Sequence, residues 1–387
     1  MTSLRADGLC KVFGTRPEEA LRRSRAGDPA GAGATVAVLD VGFTVEPGET
    51  FVVMGLSGSG KSTLIRILNG LLTPTAGRVR ADDRDVTALT GRELRGLRQR
   101  TMSMVFQHFA LLPHRTVLDN AEYGPLVRGD PPARARERAV EALGMVGLTG
   151  WEDRFPAQLS GGMRQRVGLA RALAAGTDVL LMDEAFSALD PLIKRDMQDQ
   201  LVRLQGELGK TIVFITHDLN EAMRLGDRIA VMRAGRIVQV GTAAEILHRP
   251  ADDYVARFVR DVDRSRVLTA GLVAEPAVHA DRAGPLRRAL ELLREHDLDR
   301  LPITDRGRPV GLLERSAAEL APPDTALADL LHPGPEPVAA DRTLDGFLGR
   351  VGTDTPVVDG TGRLVGLVRP VPLLRALGAG GQEDGDA

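Results

Sequence analysis

Thr50-Phe-Val-Val-Met54 runs into Gly55-Leu-Ser-Gly-Ser-Gly-Lys-Ser62 and continues as Thr63-Leu-Ile-Arg-Ile-Leu68. An apolar run, a loop of the form Gly-x4-Gly-Lys-Ser and an amphipathic stretch give strand, loop and helix in the order that a polyphosphate-binding loop requires. Gly55, Gly58 and Gly60 let successive backbone N–H groups curl around phosphate oxygens, with Ser57 and Thr63 in the same binding set. The helix opening near Lys61 turns its positive end toward the phosphates. Lys61 adds a point charge to the outer phosphates, and Ser62 is expected to hold Mg2+. A glycine turn that binds nothing is the competing reading, and the flanking strand and helix count against it.

Further along, Val179-Leu-Leu-Met182 is a second run of buried-strand character that ends in Asp183-Glu184. It puts two carboxylates at the carboxyl edge of a parallel sheet, beside the phosphate loop. Asp183 suits the Mg2+ shell, and Glu184, off the metal, is placed to polarise an attacking water. Taken alone, two such carboxylates would as easily be a solvated turn. Leu159-Ser-Gly-Gly-Met163 opens a helix through Arg164, Gln165, Val167, Leu169 and Ala170. Ser160 caps it, and Gly161 and Gly162 leave its N-terminus bare for an anion.

These segments, with Val105-Phe-Gln107, Ser187-Ala-Leu-Asp190 and Thr216-His217 in that order, resemble the ATP-binding cassettes of the ABC ATPases. The resemblance implies an α/β P-loop NTPase fold, with a RecA-like core, a helical subdomain and a β edge. It implies that Ser160, Gly161, Gly162 and Met163 form a signature facing the ATP of a second subunit, so that the chain works as a homodimer. It implies that Asp190 belongs to the D-loop, and that Gln107 and His217 sense the γ-phosphate, with Gln107 also near Mg2+. His217 follows Thr211-Ile-Val-Phe-Ile-Thr216, a further buried strand ending at the same edge. Phe13, in Cys10-Lys-Val-Phe-Gly14, fits the family's adenine-stacking aromatic, although it stands behind an extra Arg/Ala/Gly-rich segment from Thr15 to Ala34. A core phenylalanine is the other reading of that position.

The chain has 387 residues, enough for two domains with proper cores. With 50 basic and 52 acidic residues, its charge does not point to nucleic acid or an anionic bilayer as a direct ligand. A single cysteine, Cys10, excludes an intrachain disulfide and a cysteine zinc site, and a reducing cytoplasm is the expected home. The start, Met1-Thr-Ser-Leu-Arg5, does not read as a signal peptide, and no window approaches 18 uninterrupted apolar residues.

Residues 1–262 are expected to form the cassette: a β-rich edge through about residue 50, then a core with a helical insertion over about 93–175. Strands are expected at 178–183, 211–216 and 228–238, and amphipathic scaffold helices over Arg134–Val146 and Leu192–Leu208. After Asp261 a repeat appears. Pro302-Ile-Thr-Asp-Arg-Gly-Arg-Pro-Val-Gly-Leu-Leu313 matches Pro356-Val-Val-Asp-Gly-Thr-Gly-Arg-Leu-Val-Gly-Leu-Val368. Its prolines are 54 positions apart and Gly311 and Gly366 are 55 apart, so the second turn has one residue more. Each copy reads as strand, turn, strand, preceded by an amphipathic helix, Leu286–His296 or Leu344–Val351. The pattern resembles an α+β tandem pair of CBS modules, over 265–320 and 325–377, whose family binds adenosine-containing regulators between its halves. Where that family places a Thr and a ribose-holding Asp, this chain has Glu314 with Ala317 and Arg369 with Pro372, which argues against simple AMP or ATP sensing. Residues 378–387, glycine-rich and acidic, read as disordered.

The longer strings Met104–His114, Leu181–Leu192 and Asp253–Val259 with Val262-Asp263, together with the paired tail, look like the ATPase subunit of bacterial glycine betaine/proline importers. That resemblance implies a peripheral subunit on the cytoplasmic face of the membrane. It docks on polytopic permease subunits, is served indirectly by an extracytoplasmic solute-binding protein, and hydrolyses ATP to bring in compatible solutes. Its CBS pair would control transport through ionic strength or a bound dinucleotide. Engines for methionine, polyamines or sugars are the nearest alternatives. Chromosome-type ATPases would need a long coiled coil between the two strand-end motifs, translation-associated ones a second cassette, and a purely regulatory protein would not need Lys61, Asp183, Glu184 and His217 intact.

Overall fold

The computed structural model describes residues 2–107, 110–187, 189–260, 263–348 and 354–378. His108 and Phe109, Val262, residues 349–353 of the expected helix Leu344–Val351, and 379–387 of the expected disordered tail lie outside them. The chain forms two compact units, Met1–Val259 and Arg260–Ala387.

In chain order the first unit contains β1 (Leu4–Gly14), α1 (Pro17–Arg25), β2 (Ala34–Val45), β3 (Thr50–Met54), α2 (Lys61–Leu68), β4 (Ala76–Ala81), β5 (Arg84–Asp85), α3 (Gly91–Arg100) and β6 (Met102–Val105). It continues with α4 (Val117–Arg128), α5 (Pro132–Met145), α6 (Gly161–Ala174), β7 (Val179–Asp183), α7 (Pro191–Leu208), β8 (Thr211–Thr216), α8 (Leu219–Leu225), β9 (Arg228–Arg233), β10 (Arg236–Gly241), α9 (Ala243–His248) and α10 (Asp253–Phe258). Two sheets form: an antiparallel edge ordered β2-β1-β4-β5, and a core ordered β10-β9-β3-β8-β7-β6, parallel from β9 through β6. Every residue of β3, β7 and β8 is buried, which is why these strands read as unbroken apolar runs rather than alternating ones. Phe43 of the edge stacks on Phe51 of the core, ring centroids 4.8 Å apart, inside one shared hydrophobic cluster.

Two expectations change. The span 93–175 is not wholly a helical insertion, because Met102–Val105 pairs in parallel with Val179–Met182 and forms the last strand of the core sheet. The four residues are too few to show a strand period between the helix ending at Arg100 and the loop after Val105. The run 228–238 is two antiparallel strands, split where Ala234 and Gly235 take φ of 46° and 81° and make a tight reversal. The segment Thr15–Ala34 carries a helix, α1, whose Ala20 and Leu21 bury against Cys10, Val12 and Leu39 in a small core of their own.

The second unit contains α11 (Ala270–Val273), β11 (Ala280–Asp281), α12 (Leu286–Glu295), β12 (Arg300–Asp305), β13 (Arg308–Glu314), α13 (Arg315–Leu320), β14 (Val338–Ala339), β15 (Thr355–Val358), β16 (Leu364–Val368) and α14 (Pro370–Gly378). The repeat folds as two three-stranded sheets, β11-β12-β13 and β14-β15-β16. In the first hairpin Arg306 and Gly307 turn with φ of 51° and 84°. In the second, the extra residue is accommodated by Asp359, whose carboxylate accepts from the Thr361 and Arg363 N–H groups at 2.8 and 3.0 Å. Of the expected helix Leu344–Val351, Leu344–Gly346 forms a 3-10 turn. Thr343, Asp345 and Gly346 favour caps and turns there over a regular helix.

The halves exchange their leading segments. Glu275 pairs with Leu367 of β16, and the Ala270 and Gly271 N–H groups each donate at 2.8 Å to the carbonyls of Arg342 and Ala340. Conversely, His332 pairs with Leu312 of β13, and Leu327 lies in the core of Leu286, Ala289, Leu293, Leu301, Ile303 and Leu313. The repeat boundaries at 320 and 325 therefore divide the sequence but not the packing.

Candidate functional site

The parallel register lines up four strand ends. Met54 pairs with Thr216, Asp183 with Ile215 and Val105 with Met182, so Gly55, His217, Glu184 and Gln107 leave the sheet side by side, at the edge where α/β proteins place their ligands.

The loop from Gly55 to Gly60 can only be built of glycine at its turning points. Gly60 has φ of 101° and a Cβ there would lie 2.0 Å from the Ala37 carbonyl oxygen; at Gly55 it would lie 2.2 Å from that of Met232. Ser57 and Gly58 are exposed at the crest, while Ser62 and Thr63 are half-buried in the first turn of α2. Lys61 is buried and folds back over the loop, donating to the Gly55 and Leu56 carbonyls at 2.8 and 3.0 Å. Burial pushes its ammonium pKa down, with the Glu184 and Asp183 carboxylates opposing. Ser59, which the sequence reading passed over, is buried with a hydroxyl that has no hydrogen-bond partner.

Ser62 Oγ donates to Asp183 Oδ1 at 3.0 Å. Burial pushes the Asp183 carboxyl up, against the pull of Ser62, Arg66 and Lys61. A hydroxyl and a carboxylate this close are the hard oxygen donors that Mg2+ takes one or two of, leaving its other positions to water and phosphate. No group of three or more His, Cys, Asp or Glu suited to a metal occurs among the described residues, so a cation here would depend on a ligand's oxygens as well.

Glu184 is reached from two sides. Gln107 Nε2 donates to its Oε2 at 3.3 Å, and His217 Nδ1 lies 3.2 Å from the same oxygen. A carboxylate only accepts, so this contact puts a proton on Nδ1, and in the neutral imidazole Nε2 is then the acceptor.

The signature and D-loop residues stand elsewhere, at the starts of α6 and α7. Ser160 Oγ accepts from the Met163 N–H at 3.3 Å and Asp190 Oδ1 from the Ile193 N–H at 3.1 Å, each capping its helix. Gly162 packs so closely that a Cβ would lie 2.7 Å from Ile193 Cγ2, whereas Gly161 has nothing within 4 Å. None of Ser160 to Met163 partners the phosphate loop. Phe13 is 41% exposed with Lys11 Nζ 5.3 Å from its ring centroid, which removes the core reading of that residue.

In the second unit a cleft of about 450 Å3 is lined by Asp299, Arg300, Pro302 and Leu312 from one half and Asp354, Leu367 and Arg369 from the other. Arg369 is engaged there by Asp354 at 3.4 Å and Glu275 at 3.2 Å.

A phosphate loop and a strand-end carboxylate pair on a parallel sheet define a P-loop nucleotide triphosphatase. The ABC transporter family matches residues 38–187 and the CBS domain family residues 266–317. The glycine betaine/carnitine transport ATP-binding protein GbuA of Listeria monocytogenes is 43% identical over 97% of this chain and 98% of its own length. The glycine betaine/proline betaine transport system ATP-binding protein ProV of Escherichia coli is 44% identical over 99% of each. The dimeric ATP-binding cassette MJ0796, in a post-hydrolysis state bound to ADP and Pi, superposes with a TM-score of 0.55 at 32% identity, covering 62% of this chain and 98% of that one. The chain belongs to the ABC transporter ATP-binding proteins of the glycine betaine/proline betaine type. It binds and hydrolyses ATP.

Proposed function

We propose that this protein energises the import of glycine betaine/proline-type osmoprotectants through separate permease subunits, as the ATPase of a homodimeric engine. The similarity to glycine betaine transport proteins over 97–99% of the chain, second unit included, carries this reading. Trimethylamine N-oxide transport proteins match 81% of the chain at 44% identity, and methionine import proteins match 62% at 48%. No helix among the described residues is long and apolar enough to cross a membrane; in this reading the pore is formed by the permease subunits.

The hydrolytic roles follow from the strand ends. On ATP binding Lys61 exchanges its two carbonyl bonds for phosphate oxygens, which restores a full counter-charge to a buried ammonium. The loop amides and the start of α2 take the remaining oxygens, and Phe13 offers an exposed ring to the adenine. Ser62 and Asp183 would hold Mg2+, which supplies charge neutralisation at the phosphates. Glu184 accepts the proton of the attacking water; Gln107 and the Nδ1–H of His217 fix its carboxylate, leaving His217 Nε2 to face the reacting water. The bare helix start at Ser160–Met163, with Asp190, serves the nucleotide of the second copy.

The second unit would regulate the engine. Arg369 stands where the family places a Thr and is held by two carboxylates, and Pro372 stands where it places the ribose-holding Asp, which speaks against an AMP-type site there. Ionic strength and a larger dinucleotide are the two inputs to compare. The deciding experiment is ATPase in proteoliposomes bearing permease and solute-binding protein. Stimulation by glycine betaine with none by methionine is the expected result; stimulation by methionine alone, or by trimethylamine N-oxide alone, would reassign the solute.

A further inference from the structure

His217 is flanked by two residues tied to the same helix. Thr216, the last residue of β8, donates its hydroxyl to Glu221 Oε2 and accepts from the Asp218 N–H at 2.9 Å. Asp218 in turn caps α8, accepting from the Asn220 N–H at 2.9 Å and the Glu221 N–H at 3.3 Å. Glu221 is only 3% exposed, and its second oxygen accepts from Gln198 Nε2 at 3.3 Å and lies 3.1 Å from Lys194 Nζ. Lys194 also reaches Asp218 Oδ2 at 2.6 Å. Lys194 and Gln198 are one turn apart on α7, the helix capped by Asp190.

This network is costly if stability is its only purpose. A buried ion pair is commonly matched or bettered by apolar side chains of the same volume, because both charges must leave water. Its geometry does something an apolar cluster would not: it grips the chain directly before and directly after His217, and so sets the direction of the imidazole. Among the described residues, Thr216 and Asp218 are the network's hydrogen-bonding links to the segment that carries His217.

We propose that Glu221 and Lys194 form a positioning pair that holds His217 on Glu184 and anchors that contact to α7. This rests on the hydrolytic reading of His217 and Glu184. The pair acts through its bonds to the Thr216 and Asp218 side chains, which fix the backbone on either side of His217.

The test is steady-state ATPase of the full-length chain. Glu221→Gln keeps the volume and an acceptor for Thr216 but removes the charge that Lys194 answers. It is expected to lower kcat about tenfold or more, with KM for ATP within about twofold, since a misplacement of order 1 Å can cost as much as 100-fold. Lys194→Met should do the same, and Lys194→Arg, which returns the cation, should recover much of the loss. Glu221→Gln in a His217→Ala background should cost nothing further, because a residue acting through His217 has nothing left to position. Unchanged kcat in folded Glu221→Gln, or losses that multiply with those of His217→Ala, would overturn the proposal. If Glu221→Gln does not fold, Thr216→Val, which removes the hydroxyl that links Glu221 and the Asp218 N–H on either side of His217, reads the same quantity. Should His217→Ala alone keep wild-type kcat, the hydrolytic reading fails first and takes this pair with it; should His217→Ala lose activity while both Glu221→Gln and Thr216→Val keep it, only the pair is refuted.

Discussion

The N–H of Glu184 donates to the carbonyl of Ile215 at 3.0 Å, extending the β7–β8 ladder one residue beyond the strand, and Glu184 then turns away with φ of 45°. A non-glycine residue in that region is uncommon and persists where its surroundings hold it. Here the hold is the ladder bond behind and the contacts of Gln107 and His217 ahead. Glu184→Gln keeps the shape and removes the base. It should leave ATP affinity within about twofold and lower turnover by on the order of 100-fold or more. Equilibrium nucleotide binding and single-turnover hydrolysis check both halves, and near wild-type turnover would refute the role.

Asp183 makes the ligand-free protein pH-sensitive. Its raised pKa, caused first by burial, means that the folded state holds the proton more tightly than the unfolded chain. The stability this contributes is therefore lost as pH rises from the ordinary carboxylate range through the folded value. Asp183→Asn should melt higher than wild type at neutral pH without nucleotide, with the gap closing toward about pH 4. ATP with Mg2+ should raise the melting temperature of wild type more than that of the variant, which keeps the phosphate loop but loses the Mg2+ carboxylate. Melting curves across that pH range decide it.

Gly161 and Gly162 separate folding from function. Nothing stands within 4 Å of a Cβ at Gly161, so Gly161→Ala should fold normally, with Ala stabilising a helical position by roughly 0.5–1 kcal/mol over Gly. A fall in kcat of about tenfold or more despite that stability would mark a surface that meets a partner's nucleotide. Wild-type turnover would leave Ser160–Met163 as a capped surface helix.

Phe13→Ala should spare the fold, because the residue is 41% exposed and stands outside the hydrophobic cores, and weaken ATP binding. Loss of a stack worth roughly 0.5–1.5 kcal/mol corresponds to a Kd increase of about 2- to 12-fold. Isothermal titration with ATP gives the number; an unchanged Kd would remove Phe13 from the site.

Chains ending at Val259 and at Leu320 should behave oppositely. The first stops at the edge of a compact unit and should fold and bind ATP. The second keeps Leu301, Ile303 and Leu313 but loses the Leu327 that lies in their core, so its added residues should be digested by low protease concentrations while the cassette survives.

Much of the site was legible because it depends on chain-local chemistry. Gly55 to Ser62 and Val179 to Glu184 announce themselves through residue type and spacing alone, and wholly buried strands leave an unbroken apolar run. What stayed hidden depends on partners remote in sequence. Glu221 reads as an ordinary surface acid of an amphipathic helix until Lys194, 27 positions earlier, is seen to meet it. β6 is recognisable only through its register with β7, and the repeat at 302 and 356 records the hairpins while giving no sign that Glu275 belongs with Leu367.

That exchange sets a timetable for synthesis. Residues 268–275 leave the ribosome early, yet their pairing partners run to Leu367, so the second unit cannot close until almost its last strand has been made. The cassette, complete by Val259, can fold first, as N-terminal domains do during translation. Behind it, Leu268 and the core of the first half wait with apolar surface uncovered, the stretch of the nascent chain most in need of chaperone protection.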